Sequence, residues 1–136
     1  MDQQRSFHCQ LDFEGFDGSA LSVASLVATE ALDSGHEVVV EASTDTPFDP
    51  SDLLGQVASV FLTLDEEGNE LRAFHGYVFE AKVTSVLEDR YRVRLTIRAR
   101  LELLALGRDS RIFQEQSVPD IVSAVLDGAG LTGAYE

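Results

Sequence analysis

The sequence lacks most of the features that mark secreted or membrane-spanning proteins. It has a single cysteine, Cys9, so no internal disulfide can form, which is typical of a chain assembled in a reducing compartment. No run approaches the ~18 to 20 apolar residues of a membrane span. The polar start, MDQQRS, does not resemble a secretory signal. We therefore expect neither a membrane span nor a signal peptide.

Motifs for catalysis, cofactors and metals are missing as well. The histidines, His8, His36 and His75, lie far apart, and no His or Cys pair has the spacing of metal ligands. There is no nucleophile elbow, glycine-rich phosphate loop or zincin motif. Acids are so abundant that no pair of carboxylates stands out for acid–base chemistry. The sequence therefore predicts a protein that has no cofactor and no metal and is not an enzyme.

Positive charge is scarce in the first half of the chain. Residues 1–71 contain one base, Arg5, and fifteen acids, whereas residues 72–136 contain nine bases and nine acids, and the net charge is −14. Phosphate binding needs clustered positive charge, so this composition argues against nucleic acid as a partner.

The clearest pattern in the chain begins at Arg90. Apolar and polar residues alternate from Arg90 to Leu103, which predicts a strand with one apolar and one basic face. The basic face carries Arg92, Arg94, Arg98 and Arg100. Either this face is solvated, or it meets an acidic strand within the fold or from an adjacent subunit. In the second case we expect at least two of the four arginines within ~4 Å of a carboxylate.

A capped helix is predicted after this strand. Ser117 and Asp120 have the spacing of a helix N-terminus, and Pro119 fits the first turn. An apolar stripe with helical spacing follows, formed by Val118, Ile121, Val122, Val125 and Leu126. Gly128 or Gly130 then provides a left-handed stop. In the connector before the helix, Ile112 and Phe113 are expected either to be buried anchors or to belong to a segment that touches a neighbouring subunit.

Further strands are predicted upstream, over residues 7–12, 36–44 and 57–65, with a long strand over residues 71–86. Residues 66–70 are expected to form a hairpin loop with Gly68-Asn69 at its tip. Gly76 indicates a bulge or bend within the last of these strands. Asp49 is expected to cap a short helical turn near Ser51–Leu54, with Leu53 and Leu54 directed inward.

Two segments, DSRIFQ at Asp109–Gln114 and SVPDIV at Ser117–Val122, carry a resemblance to a known family. They resemble the N-terminal hub region of VgrG proteins, the spikes of type VI secretion systems. Weaker matches are ALSV at Ala20–Val23, DLLGQ at Asp52–Gln56 and FHG at Phe74–Gly76, and the resemblance spans residues 7–126. The residues expected to have structural roles in these motifs are Phe74, His75, Gly76, Asp109, Arg111, Ile112, Phe113, Gln114, Ser117, Pro119, Asp120 and Ile121.

The resemblance implies that residues 20–32, whose composition also allows a helix, form a strand. The expected fold is therefore mainly β: a small antiparallel curled sheet or closed barrel of about six strands, with one C-terminal α-helix and a short helical turn near Ser51–Leu54. We expect residues 1–136 to be a single domain, the first tail-hub-like β-barrel of a longer chain, because hubs of this family continue well beyond this point.

By resemblance the function is structural. VgrG-like hubs trimerise at the tip of the Hcp tube, contact baseplate proteins and are injected with effectors, after assembly in the bacterial cytoplasm without a signal peptide. One alternative is a baseplate hub protein of a contractile phage or phage-like particle, since the families are related. The other is a stand-alone acidic binding or immunity-type protein, for which the net charge of −14 would steer a basic partner. The hub motifs weigh against this last alternative.

Overall fold

The computed structural model describes residues 7–47, 49–64 and 69–133. The strands are β1 (Phe7–Phe13), β2 (Ser22–Ala31), β3 (Ser34–Thr44), β4 (Val57–Leu64), β5 (Asn69–Leu87) and β6 (Arg90–Arg98), and the helix is α1 (Val118–Gly128). Short 3₁₀ helices cover Gly18–Ala20, Pro50–Leu53 and Arg100–Leu106. The chain divides into two compact units, residues 1–99 and residues 100–136, which we call the sheet unit and the C-terminal unit.

The six strands form one antiparallel sheet in the order β1-β4-β5-β6-β3-β2. The predicted fold class is confirmed: the protein is mainly β, and its described residues contain six antiparallel strands, one α-helix near the C-terminus and a helical turn at Pro50–Leu53. Residues 20–32 contain strand β2, as the resemblance implied. Strands β1 and β2 are the sheet edges, and no pairing between them is found in the described part of the chain. The sheet is therefore curled rather than closed.

Alternation along the central strands produces the core. Val38, Val40 and Ala42 of β3 are buried, and so are alternate residues of β6, namely Val93, Leu95 and Ile97. Leu11, Leu21, Leu53, Ala58, Val60, Phe74 and Val78 complete the same cluster of buried side chains. Burying one such aliphatic or aromatic side chain stabilises a fold by about 1.5–3 kcal/mol, so this face is the main source of stability in the sheet unit.

The crossing between β3 and β4 follows the predicted turn chemistry. The Asp49 carboxylate accepts a hydrogen bond from Ser51 N at 2.9 Å, and Pro50 occupies the first turn. Leu53 is fully buried, and Gly55 ends the turn with φ of 75°. The expected inward position of Leu54 is wrong, because its exposed fraction is 48%. Successive residues of a 3₁₀ helix point about 120° apart, so only one of two adjacent leucines can face the core.

The C-terminal unit differs from the prediction at its start. Strand β6 ends at Arg98, and a 3₁₀ helix covers Arg100–Leu106, where we expected the strand to continue to Leu103. The adjacent Leu103 and Leu104 break the alternation of a strand. The spacing of Leu101 to Leu104 and of Leu103 to Leu106 instead matches the three-residue period of a 3₁₀ helix.

The helix itself begins where the sequence predicts. Ser117 is the N-cap of α1, and Gly130 has φ of 77°, as expected of a left-handed stop. The apolar stripe is only partly covered. Leu126 is buried, whereas Val118 and Val122 are 73% and 48% exposed.

The turn between β5 and β6 has positive φ at Glu88 and Asp89. The predicted hairpin tip at Gly68-Asn69 includes residues outside the described ranges.

Candidate functional site

Gly76 of β5 lies against the backbone of Arg98, the last residue of β6. A Cβ built on Gly76 would fall under 3.0 Å from the carbonyl oxygen of Arg98, closer than real Cβ atoms come. Of the expected bulge or bend at Gly76, the bulge is wrong, since the pairing of Gly76 with Ala58 is regular. The irregularities of β5 against β6 lie between Val78 and Glu80 and between Val83 and Ser85. The glycine is needed for close approach, and the bulges occur further along the strand.

Phe74 is a core residue covered by polar neighbours. It is 5% exposed, and the Arg72 guanidinium carbon lies 5.3 Å from the centroid of its ring. The His36 ring, from β3, packs at 5.6 Å from the same ring with an interplanar angle of 57°. Arg72 also forms an ion pair with Glu30 of β2. These contacts join the β2–β3 hairpin to β5.

His75 lies beyond the end of the ladder between β5 and β6, whose last pair is Tyr77 with Arg98. Its carbonyl oxygen is 2.9 Å from Nε2 of His36. A carbonyl oxygen can only accept, so His36 carries a proton on Nε2 and donates it to this carbonyl. The His36 side chain thus supplies the donor beyond the end of β6. The His75 ring is itself held by Ser59 Oγ at 2.8 Å from Nδ1, and packs edge-on against Phe61 at 5.8 Å.

The structure therefore gives Phe74, His75 and Gly76 one shared location. All three lie where β6 leaves the sheet and the β2–β3 hairpin reaches across to β5. Phe74 packs in the core, the His75 carbonyl accepts a hydrogen bond, and Gly76 allows close approach of two backbones. These roles are structural. Sequence reasoning missed the partners, His36 and the Glu30–Arg72 pair. His36 is 39 residues from His75 in the sequence, and Glu30 is 42 residues from Arg72, so no local spacing identifies either contact.

Three arginines of β6 pair with three acids of β3 and the residue after it. Arg90 Nε lies 3.1 Å from Asp45 Oδ1, Arg94 Nε lies 2.7 Å from Glu41 Oε1, and Arg98 Nε lies 2.8 Å from Glu37 Oε2. We call these three pairs the arginine ladder. Arg94 and Arg98 are two of the four arginines named from the sequence, so the expected ion pairing is confirmed. Arg90 was missed, although Arg90, Arg94 and Arg98 share a four-residue spacing with Glu37, Glu41 and Asp45.

The other two predicted arginines take different positions. Arg92 is exposed on β6, opposite Ser43 and Ser85 of the neighbouring strands. Arg100 belongs to the 3₁₀ helix of the C-terminal unit, so the four arginines do not share one strand as expected. Arg100 lies outside the strand for the same reason that β6 ends early: the apolar period changes after Arg98.

The arginine ladder affects which residues of β3 and β6 face each other more than it affects the stability of the fold. The side chains of Arg94 and Arg98 are 46% and 39% exposed. Exposed ion pairs are worth about 0.2–1 kcal/mol each. Arg98 also lies over the Phe79 ring, 5.5 Å from its centroid.

The connector motif of the C-terminal unit is built around one ion pair. Arg111 Nε donates to Asp109 Oδ2 at 2.5 Å, and Ser110 N donates to Asp109 Oδ1 at 2.8 Å. The hydrogen bond and the positive charge of Arg111 lower the pKa of Asp109 below its ordinary value. The guanidinium also lies against Gly128 at the end of α1, where an added Cβ would be 2.9 Å from Arg111 Nη1.

Ile112 and Phe113 do not act as a pair. Ile112 is 87% exposed, so its expected role as a buried anchor is wrong, whereas Phe113 is half-buried. Adjacent residues of an extended connector point to opposite sides, so only one of them can face inward. Gln114, the last residue of this motif, is exposed.

The helix start forms the predicted reciprocal cap. Asp120 N donates to Ser117 Oγ and Ser117 N donates to Asp120 Oδ2, each at 3.3 Å. Pro119 lies in the first turn, and Ile121 is half-buried on the inner side of α1. This cap fixes where the connector ends and the helix begins.

The C-terminal unit also contains an open recess of about 1060 Å³. Its apolar lining comes from Leu103, Leu104, Phe113 and Val125, and its polar lining from the connector residues 107–111. In the sheet unit, Cys9 is half-buried, which raises the pKa of its thiol and disfavours the reactive thiolate.

In residues 7–47, 49–64 and 69–133, no group of three or more His, Cys, Asp or Glu is arranged to hold a metal ion. None of the helices found in those ranges has the length and apolar character needed to cross a membrane.

Known proteins resemble the chain in both sequence and structure. The type VI secretion system spike proteins VgrG1b and VgrG1c of Pseudomonas aeruginosa are each 35% identical to it, over 94 and 98 residues. The alignments cover 69% and 71% of this chain but only 12% and 13% of those proteins. A solved E. coli structure, of the c3393 protein, aligns with a TM-score of 0.72 and 25% identity over 86% of this chain and 31% of that chain. That protein is described as a component of the type VI secretion system with structural similarity to the T4 bacteriophage tail proteins gp27 and gp5.

The family model for the phage tail baseplate hub (GPD) matches residues 29–136. The matched range contains strands β3 to β6, helix α1, the two densest motif segments, DSRIFQ and SVPDIV, and the weaker match FHG. The resemblance to VgrG-type hubs is thereby confirmed, and the chain belongs to the phage tail baseplate hub (GPD) family.

Proposed function

We propose that this chain is the hub part of a type VI secretion spike, and that its work is mechanical rather than catalytic. The observation that carries the proposal is the combination of the hub-family match over residues 29–136 with the 0.72 TM-score to a type VI secretion component. The sequence similarity to two spike proteins supports the same machine.

In this proposal the chain assembles as a homotrimer at the tip of an Hcp-type tube and contacts baseplate proteins. It is assembled in the bacterial cytoplasm and injected with effectors, without a signal peptide. Residues 1–136 are the first tail-hub-like barrel of a longer spike, which is in keeping with the small share of the VgrG relatives that the alignments cover. No nucleic acid is involved, consistent with the net charge of −14.

The named residues then have positioning roles. Arg94 and Arg98 pair β6 with β3, while Arg92 and Arg100 remain candidates for contacts with another subunit. The FHG residues hold the place where β6 leaves the sheet, and the connector and cap residues orient helix α1.

A hub protein of a contractile phage or phage-like particle is the second candidate, and the phage baseplate description of the matching family favours it. The fold and the mechanical role are the same, and only the machine differs. The third alternative, an acidic immunity-type protein, fits poorly with a hub-family match over most of the chain.

Deletion of the gene in its source organism tests these candidates. Loss of the tube protein from the culture medium, restored by the wild-type gene but not by a Gly76→Val copy, is expected for the type VI spike. Loss of contractile particles from electron micrographs, with tube-protein release unchanged, would assign the chain to a phage-like particle. If neither changes, the proposed function is wrong.

A further inference from the structure

The turn between β2 and β3 carries an apolar residue where turns rarely have one. Leu32 is 110% exposed, more than in an extended reference peptide. Turn positions favour Gly, Asn, Asp, Pro and Ser, because these residues adopt the required backbone or bond to it. Leucine offers neither advantage, so the local structure does not account for its presence. A residue that departs from local preference in this way points to a contact outside the fold.

The turn is also held in place from both sides. Glu30, two residues before Leu32, forms an ion pair with Arg72 of β5. His36, four residues after it, donates to the carbonyl oxygen of His75 on the same strand at 2.9 Å. Leu32 is therefore presented on a fixed hairpin tip, and fixing a contact residue before binding reduces the entropy lost on association.

The charge beside Leu32 narrows the choice of partner. Asp33 shares the turn, is exposed, and has no ion pair among the described residues. The matching surface is an apolar recess with a cationic rim. Such a surface is found in the C-terminal unit, where Leu103, Leu104 and Phe113 line the recess of about 1060 Å³. Arg108 also lines this recess, and it is exposed and unpaired within the part of the chain that is described.

We propose that Leu32 of one copy of this chain inserts into the recess of a second copy, with Asp33 facing Arg108. This inference rests on the proposed function, in which several copies form the hub. The contact is heterologous, since the hairpin tip of one subunit meets a different surface on the next. Repetition of a heterologous contact builds a ring where the rotation closes.

Cross-linking of mixed chains tests the contact directly. In a Cys9→Ser background, one chain carries Leu32→Cys and the other carries Ser110→Cys, in the wall of the recess. Mild oxidation should give a disulfide-linked heterodimer on a non-reducing gel. Leu87→Cys is the matched control, since Leu87 is 73% exposed and lies at the tip of the β5–β6 hairpin instead. No cross-link, or equal cross-linking of the control, would overturn the inference.

Sedimentation equilibrium of the full chain gives a second test. Leu32→Asn should weaken self-association about tenfold or more, the effect of losing one buried leucine, while the turn tolerates asparagine. Leu87→Asn should leave association unchanged. Asp33→Arg and Arg108→Asp should each weaken it, and their combination should restore it.

Association that is unaffected by Leu32→Asn overturns the contact but leaves a multi-subunit hub intact. A wild-type chain that is monomeric at every concentration also overturns it. In that case the release of the tube protein still decides the proposed function separately.

Discussion

The sheet unit and the C-terminal unit achieve order in different ways. In the sheet unit, alternating residues of β3 and β6 form a buried face, and Val38, Val93 and Leu95 have no exposed surface. In the C-terminal unit the apolar residues are as frequent, yet Leu106, Ile112 and Val118 are 73% to 87% exposed. Order there comes from polar local contacts, the Arg111–Asp109 pair and the cap of α1. An apolar sequence pattern therefore indicates local structure in both units, but in the C-terminal unit much of it stays exposed.

The largest expected effect of a single substitution is in the sheet unit, at Gly76. Gly76→Val places side-chain atoms against the carbonyl oxygen of Arg98, which belongs to backbone and cannot move aside. We expect a loss above about 4 kcal/mol, the exceptional range for one substitution. Gly107→Ala in the C-terminal unit is the control, since nothing lies within 4 Å of its added Cβ. Urea unfolding of both variants measures the difference, and similar midpoints would contradict this account of Gly76.

A pair of truncations compares the two units directly. Leu95→Ala removes a fully buried side chain and should cost about 2–5 kcal/mol. Val122→Ala, on the exposed side of α1, should change stability by less than about 0.5 kcal/mol. Thermal denaturation of the full chain measures both. A cost for Val122→Ala as large as that for Leu95→Ala would mean that the outer side of α1 is covered in solution.

Phe113 and Ile112, which the sequence analysis treated as a pair, should differ in the stability lost on truncation. Because its side chain is half-buried, Phe113→Ala should cost about 1–2 kcal/mol, below the ~3–5 kcal/mol of a fully buried phenylalanine. Ile112→Ala should cost under about 0.5 kcal/mol, as expected of an exposed position. Equal costs for the two variants in urea unfolding would show that both residues are anchors, as the sequence pattern allowed.

The elements that the sequence predicted well are those specified by neighbouring residues. Two such elements are the turn at Asp49 and Pro50 and the cap at Ser117 and Asp120. Each is formed by residues only a few positions apart, so it can be predicted from the local sequence. The strand from Arg90 was readable for the same reason, until the period changed after Arg98. The adjacent Leu103 and Leu104 were the available signal for that change.

What the sequence did not provide is the order of the strands. Gly76 was recognised as a special position, but its reason, the carbonyl of Arg98, depends on β6 lying beside β5. The role of His36 likewise depends on β6 ending early, so that β3 reaches the backbone of β5. Contacts of this kind join residues dozens of positions apart, where no spacing rule applies.

The arginine ladder has a consequence for strand register. In the observed register Glu37 faces Arg98 and Glu41 faces Arg94. A slip of two residues keeps every side chain on its own face of the sheet. In one direction, however, the slip would place Asp45 opposite Glu88 and Glu37 opposite Thr96. The ladder thus disfavours a slip in this direction, which hydrophobic burial alone would tolerate.

A modest effect is expected for this ladder, and its salt dependence identifies it. Reversing both central charges, Arg94→Glu with Arg98→Glu, replaces two attractive cross-strand pairs by repulsive ones. Exposed pairs contribute about 0.2–1 kcal/mol each, so the double variant should lose about 1–2 kcal/mol at low salt. The loss should shrink in 1 M salt, where charges are screened within ~3 Å. Arg92→Glu, opposite Ser43 and Ser85, is the control and should show little salt dependence. A loss that is equal at both salt concentrations would mean that these arginines act by packing rather than by charge.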